Sequence, residues 1–160
     1  MKKIYIVMGS DSDWPVMKQA AEILETFKVE YEARVVSAHR TPEDLAPFAK
    51  ECEDTDACCI IAGAGGAAHL PGMLASYTYL PVVGVPVKSK NLDGMDSLLS
   101  IVQMPKGVPV ATMGINNAGN AAIMALKILA VSELSIREKL VEFKAIQKEE
   151  SRNKTNNLKL

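Results

Sequence analysis

The sequence predicts an α/β fold, a three-layer sandwich in which a five-stranded parallel sheet carries helices on both faces, with one further helix at the C-terminus. Three observations predict it. Short apolar runs alternate with segments of helical periodicity five times along the chain. The first and third runs, Ile4–Met8 and Ala57–Ala62, are continuously apolar, as in strands covered on both faces. Polar or glycine-containing loops follow the first three runs, at Gly9–Asp13, Val36–Thr41 and Ala62–His69. Those are carboxyl-end loops, where open α/β sheets bind ligands.

Each element follows from its residues. Ile4–Met8 is the first strand. Trp14–Phe27 repeats apolar residues at helical spacing, with Asp13 expected as its N-cap and Pro15 in its first turn. Val29–Val36 alternates, which predicts a strand less fully covered than the first. Thr41 is expected to cap a helix with Pro42, Glu43 and Asp44 in its first turn, running to Glu53. Ala57–Ala62 is the third strand, Gly63–Ala68 a loop, and Leu70–Tyr77 a helix. Val82–Val85, bracketed by Pro81 and Pro86, is the fourth strand. A helix over Asp93–Val102, a fifth strand at Val108–Ala111 and an alanine-rich helix over Asn117–Val131 follow. The last helix, Glu133 to Glu150, sets Ile136, Leu140, Phe143 and Ile146 on one face. The plan is flavodoxin-like: residues 1–150 are read as a single α/β domain and 151–160 as a polar, disordered tail.

Composition narrows the function. At 160 residues a chain buries roughly 68–70% of its unfolded surface, so a core forms without staples. The net charge is −1 and the aromatic fraction 5%, which disfavours nucleic acid and anionic membranes as partners. Cys52, Cys58 and Cys59 have no metal-site spacing and suit buried, reduced thiols in a cytoplasmic protein. The N-terminal apolar run is too short for a signal sequence or a membrane span.

The three loops hold the candidate chemistry. In Gly9–Asp13, the Ser10 and Ser12 hydroxyls and the turn's backbone N–H groups suit a phosphate. Asp13 suits ribose hydroxyls or the cap role; a simple capping turn is the plainer reading. His39, one of only two histidines, ends a strand beside Arg40. An imidazole of reference pKa about 6.5 both gives and takes protons near neutrality. A planar guanidinium suits a carboxylate or phosphate. The alternative there is a capping histidine and a surface ion pair. Gly63–Ala68 fits G-x-G-x-x-A, but it follows the third strand and lacks the downstream acidic residue of a dinucleotide site. What remains is close backbone approach to a ligand; His69 either touches that ligand or orients the loop. Ser97, Ser100 and Gln103 lie in Ser89–Met104, a segment expected to cover the site as a lid or to pack at a subunit boundary. The small-residue face of Asn117–Ala130 suggests packing between subunits.

Long motifs at these loops resemble a known family. G-S-D-S-D-W at Gly9–Trp14, S-A-H-R-T-P at Ser37–Pro42 and A-G-A-G-G-A-A-H-L-P-G-M at Ala62–Met73 carry the resemblance, and Gly84–Val87 and Ser100–Pro105 extend it. The family is N5-carboxyaminoimidazole ribonucleotide mutase of purine (IMP) biosynthesis. The resemblance implies an isomerase without metal or other cofactor, which moves a carboxylate from the exocyclic nitrogen to ring carbon C4. By matching position, His39 would be the acid/base, and Ser10, Asp13 and Arg40 would bind the nucleotide. Ser37, Gly65 and His69 would wall the site, with Trp14 nearby. It also implies a homo-octamer with sites at subunit boundaries. Three rivals remain: a carboxylase taking free carbon dioxide, a receiver-type signalling domain, and a flavin or dinucleotide binder. A receiver needs an aspartate after the third strand and a lysine after the fifth, where this chain has Ala62-Gly63 and Ala111–Gly114.

Overall fold

The structure is a computed structural model that describes residues 2–158. Five parallel strands form one sheet in the order β2-β1-β3-β4-β5: β1 Ile4–Met8, β2 Tyr31–Val35, β3 Cys59–Gly65, β4 Val82–Val87 and β5 Ala111–Thr112. The helices are α1 Trp14–Phe27, α2 Leu45–Asp54, α3 Leu70–Tyr77, α4 Met95–Val102, α5 Ala118–Leu129 and α6 Leu134–Asn153. The alternating pleat explains the layering. Ile4, Ile6 and Met8 of β1 join Met17, Leu24, Ala121, Leu126 and Ile136 on one face, under α1, α5 and α6. Tyr5 and Val7 join Leu45, Phe48, Leu74 and Ile101 on the other, under α2, α3 and α4. The expected three-layer, five-stranded α/β plan is the one observed.

Several boundaries differ, each for a local reason. β3 does not stop at Ala62 but runs through Gly63 and Gly65, which pair with Val85 and Val87 of β4. Gly63 belongs in the strand because α1 crosses closely: a Cβ there would lie 2.2 Å from Met17 Sδ. β4 likewise continues through Pro86 to Val87. Its pairing with β5 ends at Gly84–Thr112, so Pro86 removes no ladder bond on that side. β5 shrinks to Ala111–Thr112 instead of Val108–Ala111; Pro109 lacks an N–H to pair. α4 begins at Met95, two residues late, because Asp93 and Gly94 take left-handed φ values of 54° and 91°.

Asp13 makes no side-chain cap bond; a 3-10 turn over Asp11–Asp13 precedes α1, and Ser10 Oγ accepts from Ser12 N instead. Thr41 also makes no cap bond and donates its hydroxyl back to Ser37 O at 3.2 Å. The alanine face of α5 is not left for a partner: Ala118, Ala121, Ala122 and Ala125 are buried inside the chain, where α5 crosses α1 and the sheet. α6 runs on to Asn153 and a 3-10 turn occupies Lys154–Asn157. Helical backbone therefore fills the described part of the segment expected as a disordered tail, and residues 159–160 lie outside the described residues. Among the described residues no helix is long and apolar enough to cross a membrane.

Candidate active site

The strand order reverses between β1 and β3, and the crevice this creates lies at their carboxyl ends. A cavity of about 540 Å³ opens there. All seven residues singled out for the site, Ser10, Asp13, Ser37, His39, Arg40, Gly65 and His69, line it. Trp14 does not; it lines a separate surface hollow together with Met8, Arg34 and Val35.

Each wall is held by its own hydrogen bonds. The first loop leaves β1 through Gly9, whose N–H donates to Gly63 O at 3.3 Å and ties it to the neighbouring strand. Ser12 Oγ donates to Ser10 Oγ at 3.0 Å, and Asp13 N–H donates to Ser10 O at 3.1 Å. Burial lifts the Asp13 carboxyl above its ordinary value; the Ser10 backbone N–H facing the carboxylate opposes this and the Asp11 charge adds to it. The second loop is a tight turn. Thr41 N–H donates to Ser37 O at 3.0 Å and Arg40 N–H to Ser37 Oγ at 3.2 Å, so Ser37 shapes the turn that presents His39 and Arg40. In the third, Gly66 takes φ +68°, and Ala68 N–H donates back to Gly66 O at 2.8 Å. His69 then stands at the start of α3.

The second and third walls meet through their histidines. His39 Nε2 and His69 Nδ1 are 2.7 Å apart, with the rings edge to face at 88°. One proton serves this contact, and either ring can donate it. Both rings are exposed, and the second nitrogen of each stays free for a ligand. An imidazole pair of this kind can take a proton at one ring and return it from the other.

A fourth wall begins at Val87, ahead of the Ser89–Met104 segment expected as a lid or subunit boundary, and takes in the first two residues of that segment. Val87, Lys88, Ser89 and Lys90 complete the cavity beyond β4. Lys88 pairs with Asp93 at 2.9 Å, whereas Lys90 has no ion-pair partner among the described residues. The signal was available: the loop follows a strand's carboxyl end and has two cations in three residues. Taking Pro86 as the end of its strand hid it. Arg40, Lys88 and Lys90 against Asp13 make the cavity suited to an anion of more than one charge. Among the described residues no three His, Cys, Asp or Glu side chains converge as a metal site requires.

Comparison with known proteins shows the family and the fold. The family AIR carboxylase matches residues 3–150. The N5-carboxyaminoimidazole ribonucleotide mutase of Pyrococcus abyssi is 60% identical over 144 residues, covering 90% of this chain and 83% of that one. That of Thermotoga maritima is 58% identical over 158 residues, covering 99% and 92%. The chloroplastic phosphoribosylaminoimidazole carboxylase of Vigna aconitifolia is 57% identical over 143 residues, covering 88% of this chain and 26% of that one. The crystal structure of Treponema denticola PurE superposes with a TM-score of 0.90 at 27% identity, covering the whole of both chains.

Proposed function

The chain belongs to the AIR carboxylase family, and from that premise we propose that it is an isomerase of purine biosynthesis converting N5-carboxyaminoimidazole ribonucleotide to 4-carboxyaminoimidazole ribonucleotide. The relatives at 58–60% identity that span most of both chains bear the mutase name. The observation that carries the chemistry is the His39–His69 contact at 2.7 Å within the carboxyl-end cavity.

The reaction asks for one proton delivered and one removed. Protonating the exocyclic nitrogen breaks its bond to the carboxylate carbon and releases carbon dioxide beside the ring. The electron-rich C4 attacks that carbon, forming the new C–C bond, and the proton displaced from C4 returns to the base. The proton count closes, so a single imidazole suffices if it reaches both positions at hydrogen-bond distance. His39 takes this role in our reading, with His69 as the partner that holds or lends its proton. Ser10 and the backbone N–H groups of its turn receive the phosphate, with Arg40 as a second donor. Asp13 accepts from the ribose hydroxyls. Ser37 and Gly65 form walls, the glycine letting the backbone approach the ligand closely. Enclosing the carbon dioxide keeps it from water and holds it against C4.

Residues 1–150 act as one catalytic domain in this reading, in the cytoplasm, where the buried thiols stay reduced. The assembly is a homo-octamer with sites at subunit boundaries. Exposed apolar side chains on and beside α4, namely Leu92, Leu99 and Val102, support association of copies.

A carboxylase using free carbon dioxide is the second reading, favoured by the name of the Vigna relative. One assay separates them. Purified protein given N5-carboxyaminoimidazole ribonucleotide is expected to form the C4 isomer without added bicarbonate. Turnover only of aminoimidazole ribonucleotide with bicarbonate would reverse the assignment.

A further inference from the structure

Ser97 is the sole fully buried polar residue among the described residues, and it lies outside the cavity lining. Its hydroxyl donates to Val87 O at 2.6 Å and accepts from Gly66 N–H at 2.9 Å. Val87 closes β4 and Gly66 follows β3, so one hydroxyl on α4 bridges the carboxyl ends of two strands. Both partners are backbone groups, and neither bond is local in sequence.

What hangs from Gly66 gives this bridge its consequence. Gly66 has a left-handed φ, so its turn is not fixed by the ordinary backbone preference of a side-chain-bearing residue. Its carbonyl accepts from Ala68 N–H at 2.8 Å and from Ser100 Oγ at 3.3 Å. Three residues after Gly66, His69 meets His39 at 2.7 Å. The path from the Ser97 hydroxyl to the imidazole pair is therefore one turn of backbone. A hydrogen bond lost at its start displaces the ring at its end, and an imidazole contact that short does not survive a displacement approaching an ångström.

We propose that Ser97 is a positioning residue: its buried hydroxyl sets the Gly66 turn against β4 and thereby seats His69 on His39. The proposal rests on the reading of His39 as acid/base for its effect on turnover, but not for its effect on the two rings.

The chain has only two histidines, so both rings can be followed by nitrogen NMR in the intact protein. In the native protein the proton shared at 2.7 Å is expected to give a scalar coupling between His39 Nε2 and His69 Nδ1. Ser97→Ala, folded by circular dichroism and melting cooperatively, is expected to abolish this coupling. It should also lower kcat about 10-fold with KM within about twofold, a part of the roughly 10²–10⁴-fold that a positioned acid/base supplies. Ser97→Thr, which keeps the hydroxyl, should restore the coupling and most of the rate. Should Ser97→Ala fail to fold, Ser97→Cys keeps the volume with a weaker donor and is expected to show the same change in part. Native coupling persisting in a folded Ser97→Ala or Ser97→Cys overturns the proposal, as does a rate loss that Ser97→Thr repairs without restoring the coupling. If the native protein does not isomerise the nucleotide at all, the proposed function fails while the ring coupling still decides the role of Ser97.

Discussion

At the scale of single residues, three side chains of the cavity divide the labour. His39→Asn keeps a smaller polar group that donates and accepts at the turn but has no titratable nitrogen. It is expected to keep the fold and bind nucleotide while losing about 10²–10⁴-fold in kcat; near-native turnover would remove His39 from its role. Lys90 has no partner among the described residues, so Lys90→Ala should raise KM several-fold, leave kcat unchanged, and reduce the dependence of kcat/KM on ionic strength. Steady-state kinetics at two salt concentrations reads all three. Asp13 is held above the usual carboxylate range by burial. The folded chain then binds that proton more readily than the unfolded chain. The contribution is present below the unfolded value and lost as pH rises through the folded one. Asp13→Asn should flatten that acid-side decline in melting temperature, an effect well under about 1 kcal/mol for a half-exposed group. An unchanged slope would assign the pH dependence elsewhere. All seven site residues named from sequence line the cavity, because carboxyl-end loops in a parallel sheet converge whatever their side chains do. The His39–His69 contact was not legible, since nothing in a spacing of thirty residues tells two loops to bring ring nitrogens together.

At the scale of elements, the strands and helices were legible and their ends less so. An unbroken apolar run marks β1, and α1 is long enough to repeat its helical pattern several times. Glycine and proline misled where tertiary contacts override their local preference. Gly63 reads as a loop yet is a strand residue forced small by Met17, and Pro86 reads as a stop yet continues β4 where no partner needs its N–H. Gly63→Ala should therefore destabilise the fold by about 1–3 kcal/mol, the cost of overpacking a close crossing. A urea melt checks this, and a midpoint equal to the native one would mean that Met17 yields freely. β2 is tied down differently. Arg34 donates through both terminal nitrogens to Glu51 of α2, at 2.7 and 2.5 Å, and through Nε to Glu32 at 2.5 Å, while its guanidinium lies 6.0 Å from the Tyr5 ring. A lysine reproduces the charge but not the fork, so Arg34→Lys should cost about 0.5–1 kcal/mol.

At the scale of the molecule, apolar runs alternating with helical segments predict the three-layer plan, and the five-stranded sheet bears it out. The alanine face of α5 is the instructive failure. Small residues foretell close helix packing but not whose helix arrives, and here it is α1 of the same chain. Sedimentation is expected to give a species eight times 17.3 kDa; a monomer would remove the octamer and its boundary sites. The buried thiols have a use apart from catalysis. Cys52 on α2 is pushed up to about 12 by burial, and Cys59 in β3 is raised well above its ordinary value by donating to Cys58 and by burial, while the same bond lowers Cys58. Neither Cys52 nor Cys59 presents a reactive thiolate while the layers stay shut. A disulfide reagent added to the native protein is therefore a stopwatch started by the molecule itself: beyond the step that belongs to Cys58, each absorbance step counts an opening event, and the order in which α2 and the sheet centre respond reports which layer lifts first.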